Sequence, residues 1–358
     1  MSEDVYRRLA RTLDAIPNGF PATESGAELR LLAKIFEPEE AALAAVMRLH
    51  RETAAVIAAR AGVDAGVARR RLKTMARKGQ IRFGRREKDL VFGLMPFAVG
   101  FYEEQLPRMD RELAELFEAY FRQVHSLSGP QGGLSVQRVI PVEEAVPAGV
   151  EIYPYERASE LLENAKSWGV RDCICRVQQK LVGKGCDRPV ENCISFAPVE
   201  GAFDHSEVTR PISKEEAFRI LREAEDAGLV HSPGNYQDGH YYICNCCTCC
   251  CGVLRSVTEF SIPTAVAKSD FVLVVDADLC AGCGDCLARC QFDALALPDG
   301  VCVVDPGRCV GCGLCVVVCP SEALHLERRP PGEVPPPPAD FMEWMAQRAK
   351  ERGLVPLV

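Results

Sequence analysis

Val275 to Leu295, VDADLCAGCGDCLARCQFDAL, and Val304 to Leu324, VDPGRCVGCGLCVVVCPSEAL, decide how the rest of this 358-residue chain is understood. The two stretches align without a gap at an offset of 29 residues, ten of 21 positions are identical, and all four cysteines coincide. Repetition at fixed spacing implies a module with pseudo-twofold symmetry. Each copy has the order Cys-x2-Cys-x2-Cys-x3-Cys. That spacing wraps a short loop around a four-iron cube, the loop giving three thiolates and the fourth cysteine serving the other cluster. Gly282, Gly284, Gly311 and Gly313 let the backbone close in and aim amide hydrogens at sulfur. Two [4Fe-4S] clusters and an electron-carrying role are therefore expected.

The repeat resembles the bacterial two-cluster ferredoxins over roughly Phe271 to Arg329. By position, the resemblance implies that Cys280, Cys283, Cys286 and Cys319 hold one cluster, and Cys290, Cys309, Cys312 and Cys315 the other. It also implies a strand, a cysteine loop and a short helix in each half, the helix starting at the fourth cysteine. The chain departs from the pattern at Gln291, which stands where a proline usually follows the first run; Pro320 keeps it in the second. The first loop carries Asp285 where the second has Leu314, and Val316, Val317 and Val318 flank the second. Negative charge and solvation lower a cluster's potential, so the first cluster is expected to have the lower one.

Bulk composition narrows the rest. Apolar residues make up 47% of the chain, enough for two or three domain cores. The start, MSEDVYRRLARTLDAI, has no apolar run, and no stretch approaches the roughly 20 apolar residues of a membrane span. A cytoplasmic location follows as the expectation. Nineteen cysteines in a reducing compartment argue for metal ligation over disulfides. The net charge of −8 is uneven: residues 1–100 carry 18 basic against 12 acidic side chains, the remainder 24 against 38.

From Pro38 to Gln105 the pattern predicts helices over Pro38 to His50, Arg51 to Ala61 and Asp64 to Lys78, with Asp64 as a cap. Ile81 to Phe83 and Leu90 to Phe92 then read as a hairpin whose tip spans Gly84 to Asp89. This segment resembles a winged helix-turn-helix domain. Arg69, Arg70, Arg71, Lys73, Arg77 and Lys78 lie on its third helix, and Arg85, Arg86 and Lys88 at the hairpin tip. The resemblance implies a recognition helix with a wing on phosphates, so nucleic acid is a possible partner through residues 51–92. The helix lacks the Asn or Gln side chains that read adenine, and the same fold serves as a protein-docking scaffold; docking is preferred.

Residues 141–268 hold ten more cysteines, including Cys173-Ile-Cys175-Arg176, Cys186, Cys193, and six between Cys244 and Cys251. Helices are expected over Arg157 to Ser167 and Ser213 to Ala227. So dense a thiol set oxidises or binds metal. Cys244, Cys247 and Cys250 repeat the loop spacing and are candidates for one cube, with a fourth ligand from the first group. Alternatively, Cys173, Cys175, Cys186 and Cys193 form one site and Cys244 to Cys251 a second. Adjacent cysteines diverge and are not expected to share a site, and zinc is disfavoured because the first pair is Cys-x-Cys, not a Cys-x2-Cys knuckle. Arg176 and Lys180 would set positive charge beside the cluster. The combination resembles a group of iron–sulfur proteins from anaerobes that often carry ferredoxin modules. His231 reads as a loop residue and Cys302 as a packed strand residue, neither a ligand.

Pro335 to Pro338 form a stiff linker to an amphipathic helix over Ala339 to Arg352, which packs back on the body or seats a partner. No dinucleotide fingerprint, phosphate loop or nucleophile elbow occurs. The expected architecture is α+β and multidomain: a winged-helix-like domain over 1–130, a cysteine-rich α+β domain over 141–268, a two-cluster ferredoxin module over 269–329, and a linker with a helix over 330–358. The expected role is an electron relay in an anaerobic oxidoreductase rather than a stand-alone enzyme. Its expected partners are a reductase or soluble ferredoxin and an acceptor oxidoreductase. A redox-sensing DNA-binding regulator is the alternative.

Overall fold

A computed structural model describes residues 4–127 and 133–354; the expected domain ends at 130 and 358 lie outside them. The chain separates into two units, one from the residues before 130 with those from 345 onward, the other from 130 to 344. Both combine helices with strands, as an α+β chain does.

In the first unit, helices Val5–Asp14, Ala27–Ile35 and Pro38–Ala44 bury Leu9, Leu13, Leu31, Leu32 and Ala41. The helix expected from Arg51 starts instead at Ala54, because Glu52 and Thr53 pair as a short strand with Phe92 and Val91. Ladder bonds there replace one further helical turn. The Asp64 side chain accepts a bond from the Val67 amide at 2.9 Å and starts helix Ala65–Arg77. Strands Arg82–Arg86 and Asp89–Gly93 follow in register Phe83↔Phe92, so the hairpin tip is only Glu87-Lys88. Helix Ala65–Arg77 buries Ala68, Leu72 and Met75, leaving Arg69, Arg70 and Arg77 exposed. Two of its expected cations are paired within the unit: Arg71 with Glu39 at 2.9 Å and Lys78 with Glu40 at 2.7 Å.

The second unit contains an antiparallel sheet in the order Arg210–Ile212, Ser167–Asp172, Glu191–Ala197, Tyr242–Cys246, Val230–Ser232. Helices Ala158–Glu163 and Lys214–Asp226 bury Leu162, Ala217, Ile220 and Leu221 against Val170, Ile194, Phe196 and Ile243. The first of these helices is shorter than expected, since Ser167 already belongs to a strand. Ser213 caps the second helix through the Glu216 amide.

The cysteine repeat closes on itself. Phe271–Val275, at the start of copy one, pairs with Leu324–Arg328, at the end of copy two. Leu295–Ala296 and Val303–Val304 pair where the copies meet. Helix Asp285–Arg289 lies inside the first run and Cys290 caps its C-terminal end, a correction to the helix expected to begin there. The three residues between the last two cysteines span about one helical turn, so a single turn carries both sulfurs. The repeat does not stand apart from the sheet region: Cys246, Cys251 and Leu254 share one core with Phe271, Leu273, Phe292 and Leu314. In the tail, Trp344 of helix Phe341–Glu351 is buried and donates to the Ser135 carbonyl at 2.9 Å, while Arg352 donates to the carbonyls of Asp14 and Ile16. No described helix is long and apolar enough to cross a membrane.

Candidate metal centres

Cys290, the last cysteine of the first run, lines one pocket with Cys309, Cys312 and Cys315 of the second. Leu273, Phe292, Val310, Leu314 and Leu326 complete its apolar wall. Burial pushes the Cys312 thiol up to about 12 and raises Cys315 as well. Thiolate is costly in such a shell unless cations replace the protons, so four cysteines lining an apolar pocket fit an iron–sulfur group. The loop is held from behind: Arg329 donates to the Cys309 carbonyl at 3.0 Å, Ser269 to the Gly311 carbonyl at 2.7 Å, and the Val142 amide to the Cys312 carbonyl at 3.0 Å. Gly311 has φ +71°, and a Cβ there would sit 2.0 Å from the Phe271 carbonyl oxygen.

The other set is wetter. Cys283 is exposed, Cys280 and Cys319 are half-buried, and Cys286 is buried. Cys302 faces this set: its amide donates to Cys280 Sγ at 3.4 Å and its sulfur lies 3.7 Å from Cys286 Sγ. Burial and the Cys286 sulfur push the Cys302 thiol up to about 12.

The ten sheet-region cysteines fall into two groups that follow neither grouping drawn from spacing. Cys186, Cys247, Cys249 and Cys250 have all four sulfurs within 4.8 Å of one another. Cys186 sits in the loop after helix Ile174–Leu181, and the other three on the turn after strand Tyr242–Cys246. Adjacent Cys249 and Cys250 point the same way, their sulfurs 3.8 Å apart, because the tight turn folds Cys250 N back to the Cys247 carbonyl. Arg176 donates to Cys247 Sγ and Arg188 to Cys249 Sγ, each at 3.5 Å. Hydrogen bonds from Cys249 and Cys250, then the Arg176 charge, hold the Cys247 thiol below its ordinary range; sharing with Cys247 pushes Cys249 up to about 12.

The remaining six, Cys173, Cys175, Cys251, Cys246, Cys244 and Cys193, form a closed ring in which the ionisation of each thiol depends most on its two neighbours. The sheet makes it. Cys244 and Cys246 lie two apart on one strand and face the same way. Cys193 is on the neighbouring strand, next to the pair Ile194↔Ile243. Cys173 and Cys251 each cap the helix that follows, and Cys175 lies in the first turn of the helix that Cys173 caps. The shifts alternate around the ring: the neighbouring sulfurs lower Cys173, Cys251 and Cys244, the last to about 5, and raise Cys175, Cys246 and Cys193. The spacing trio Cys244, Cys247 and Cys250 is thereby divided, with Cys244 in the ring.

Arg176 is the charge at the junction. It is 2% exposed and donates to the Asn245 carbonyl at 2.9 Å and Asn192 Oδ1 at 2.6 Å. Burial alone would lower its pKa, but Cys173, Cys247 and Cys193 outweigh it and the pKa rises. Lys180, its expected companion, is exposed; Arg188 takes that place. His231 belongs to strand Val230–Ser232, not a loop, and its ring nitrogens meet Asn245 Oδ1 at 2.7 Å and Glu225 Oε1 at 3.0 Å. Gln291, the departure from the proline pattern, accepts from the Thr248 amide at 3.0 Å and donates to the Gly228 carbonyl. It ties the residue after Cys290 to the thiol turn, which a proline ring cannot do. The spacing trio left out Cys246, Cys249 and Cys251, and nothing in the sequence marked Arg188; the period-two alternation in Tyr242 to Cys246 is the signal for Cys246.

Compared with known proteins, residues 302–325 match a family model described as a 4Fe-4S binding domain. Neither a curated protein nor a solved structure matches the chain. The matched segment and the thiol-rich body point to an iron–sulfur protein of electron transfer with at least one 4Fe-4S cluster.

Proposed function

We propose that the chain is a multi-cluster iron–sulfur relay, a subunit of or donor to an anaerobic oxidoreductase. The observation that carries this is the pocket in which Cys290 joins Cys309, Cys312 and Cys315. Sharing of a fourth cysteine between two runs is the arrangement of a two-cluster module, so Cys280, Cys283, Cys286 and Cys319 are assigned to the first cluster. Bound there, the clusters supply one-electron transfer. This chain's residues set the order: the exposed Cys283 loop gives the first the lower potential, and the apolar wall around Leu314 gives the second the higher. The six-thiol ring is the natural place for a further iron–sulfur cluster, with the buried Arg176 guanidinium stabilising its negative charge.

The first unit has the element order of a winged helix, and we assign it to docking a redox partner. Two of its cations are already spent on Glu39 and Glu40, which favours this over the DNA-binding regulator. The test is iron and acid-labile sulfide per chain on anaerobically prepared protein, with EPR of the reduced form. About eight irons or more and two interacting spins are expected. Cys283→Ala and Cys312→Ala each remove one partner of that interaction, and a signal surviving both belongs to the ring. About four irons and a lone spin would overturn the two-cluster assignment.

A further inference from the structure

The geometry points to a mononuclear site of the zinc class at Cys186, Cys247, Cys249 and Cys250, distinct from every iron–sulfur centre. The argument rests on sulfur–sulfur distances. One tetrahedral ion with metal–sulfur bonds of about 2.3 Å places its ligands about 3.8 Å apart along each edge. The measured separations are 4.0 Å for Cys186–Cys247, 3.7 Å for Cys186–Cys250 and 3.8 Å for Cys249–Cys250. A four-iron cube binds each thiolate to a different iron, and the four bonds splay outward from its corners. Its ligands therefore share no such edge. Among the described residues these four form the one group of three or more ligands so closely drawn together. Cys290, Cys309, Cys312 and Cys315, by contrast, line a pocket.

Charge and enclosure agree with a single divalent ion. Four thiolates around one such ion leave two negative charges, and the guanidinium groups of Arg176 and Arg188 answer them at 3.5 Å. Cys247 and Cys250 are 0% and 2% exposed, while Cys186 and Cys249 are half-buried and leave an entry path. A site of four cysteines has no open position, which is the structural class of zinc centre. The ion would pin the loop after helix Ile174–Leu181 to the thiol turn. That turn sits between Cys246 and Cys251, two members of the ring, and carries the Thr248 amide that Gln291 holds. The site is a local staple between that loop and the turn, and it does not itself change redox state.

The test uses the full chain prepared without oxygen. Metal analysis should give about one zinc per chain, and zinc-edge X-ray absorption, which is blind to iron, a shell of four sulfurs at about 2.3 Å with no metal neighbour. Cys249→Ser and Cys186→Ser should each lose the zinc and keep the iron count, whereas Cys173→Ser and Cys193→Ser should keep the zinc. Should a serine variant fail to fold, the absorption measurement on the unaltered chain still decides. A chain without zinc, a zinc shell containing a second metal, or iron loss from the Cys249→Ser variant would each overturn the assignment.

Discussion

Alanine at Gly311 and at Gly284 should separate backbone strain from steric exclusion behind the second cysteine loop. Both glycines have positive φ, +71° and +85°, so an L side chain costs about 1–2 kcal/mol at either. At Gly284 the added Cβ would meet only Leu297 Cδ1, at 3.6 Å, an ordinary contact. At Gly311 it would lie 2.0 Å from the Phe271 carbonyl oxygen and 2.2 Å from Ser269 Oγ. The serine can rotate away, giving up its bond to the Gly311 carbonyl. The Phe271 oxygen cannot move: its strand is paired to Leu324–Arg328, and Arg329 Nε donates to it at 2.9 Å. The loop must therefore retreat by more than about 1 Å, adding about 1–3 kcal/mol of overpacking. Gly311→Ala should thus cost about 2–5 kcal/mol and Gly284→Ala about 1–2. Retreat of the loop carries Cys309 and Cys312 away from Cys290, so Gly311→Ala should also lose about four irons per chain and the spin interaction. Iron analysis, EPR and denaturant unfolding of the two variants side by side read all of this. Full iron in Gly311→Ala, with stability equal to that of Gly284→Ala, would refute the steric argument.

Other perturbations probe the remaining parts. Arg176→Met removes a buried cation from between thiolates and strands the Asn192 and Asn245 acceptors; a loss of about 3–5 kcal/mol is expected, and denaturant curves within 1 kcal/mol of the parent (roughly experimental error) would count against it. Burial holds His240 down to about 4 from an ordinary 6.5. Its folded pKa lies below its unfolded one, so its stability contribution is complete above 6.5 and fades as pH falls towards 4. At pH 5 about 2 kcal/mol should be missing, and His240→Phe should flatten that slope; identical slopes would exclude His240 as the source. Asp64→Ala removes the cap of helix Ala65–Arg77 and should cost about 1 kcal/mol with no change in iron, which thermal unfolding and metal analysis would show. Fluorescence anisotropy with duplex DNA at low salt should detect no binding; binding that weakens with salt and with alanine at Arg69, Arg70 and Arg77 would restore the regulator.

Legibility differed by region for a physical reason. In the paired runs the expected ligands are local: three cysteines share one loop, held close by covalent spacing with two glycines between them. Asp64 could be read because a cap bonds an amide three residues away. A helix start is not legible where a distant partner intervenes, as at Thr53, whose strand partner Val91 is 38 positions on in sequence. The sheet-region thiols show the same limit more sharply. Cys244, Cys247 and Cys250 have loop spacing, yet Cys244 is on a strand and its side chain follows the pleat, not the turn.

By itself, then, the sequence determined that this chain carries a duplicated cysteine loop with the spacing of an iron–sulfur ligand set, because that information lies within about 11 consecutive residues per copy. Only the tertiary structure decided which sheet-region sulfurs meet. Cys193 reaches Cys244 through strand register, Cys186 reaches Cys250 across 64 residues, and Arg188 finds Cys249 from a different loop. Pleat direction and register assign each of those side chains to a face, and neither is written in the spacing along the chain.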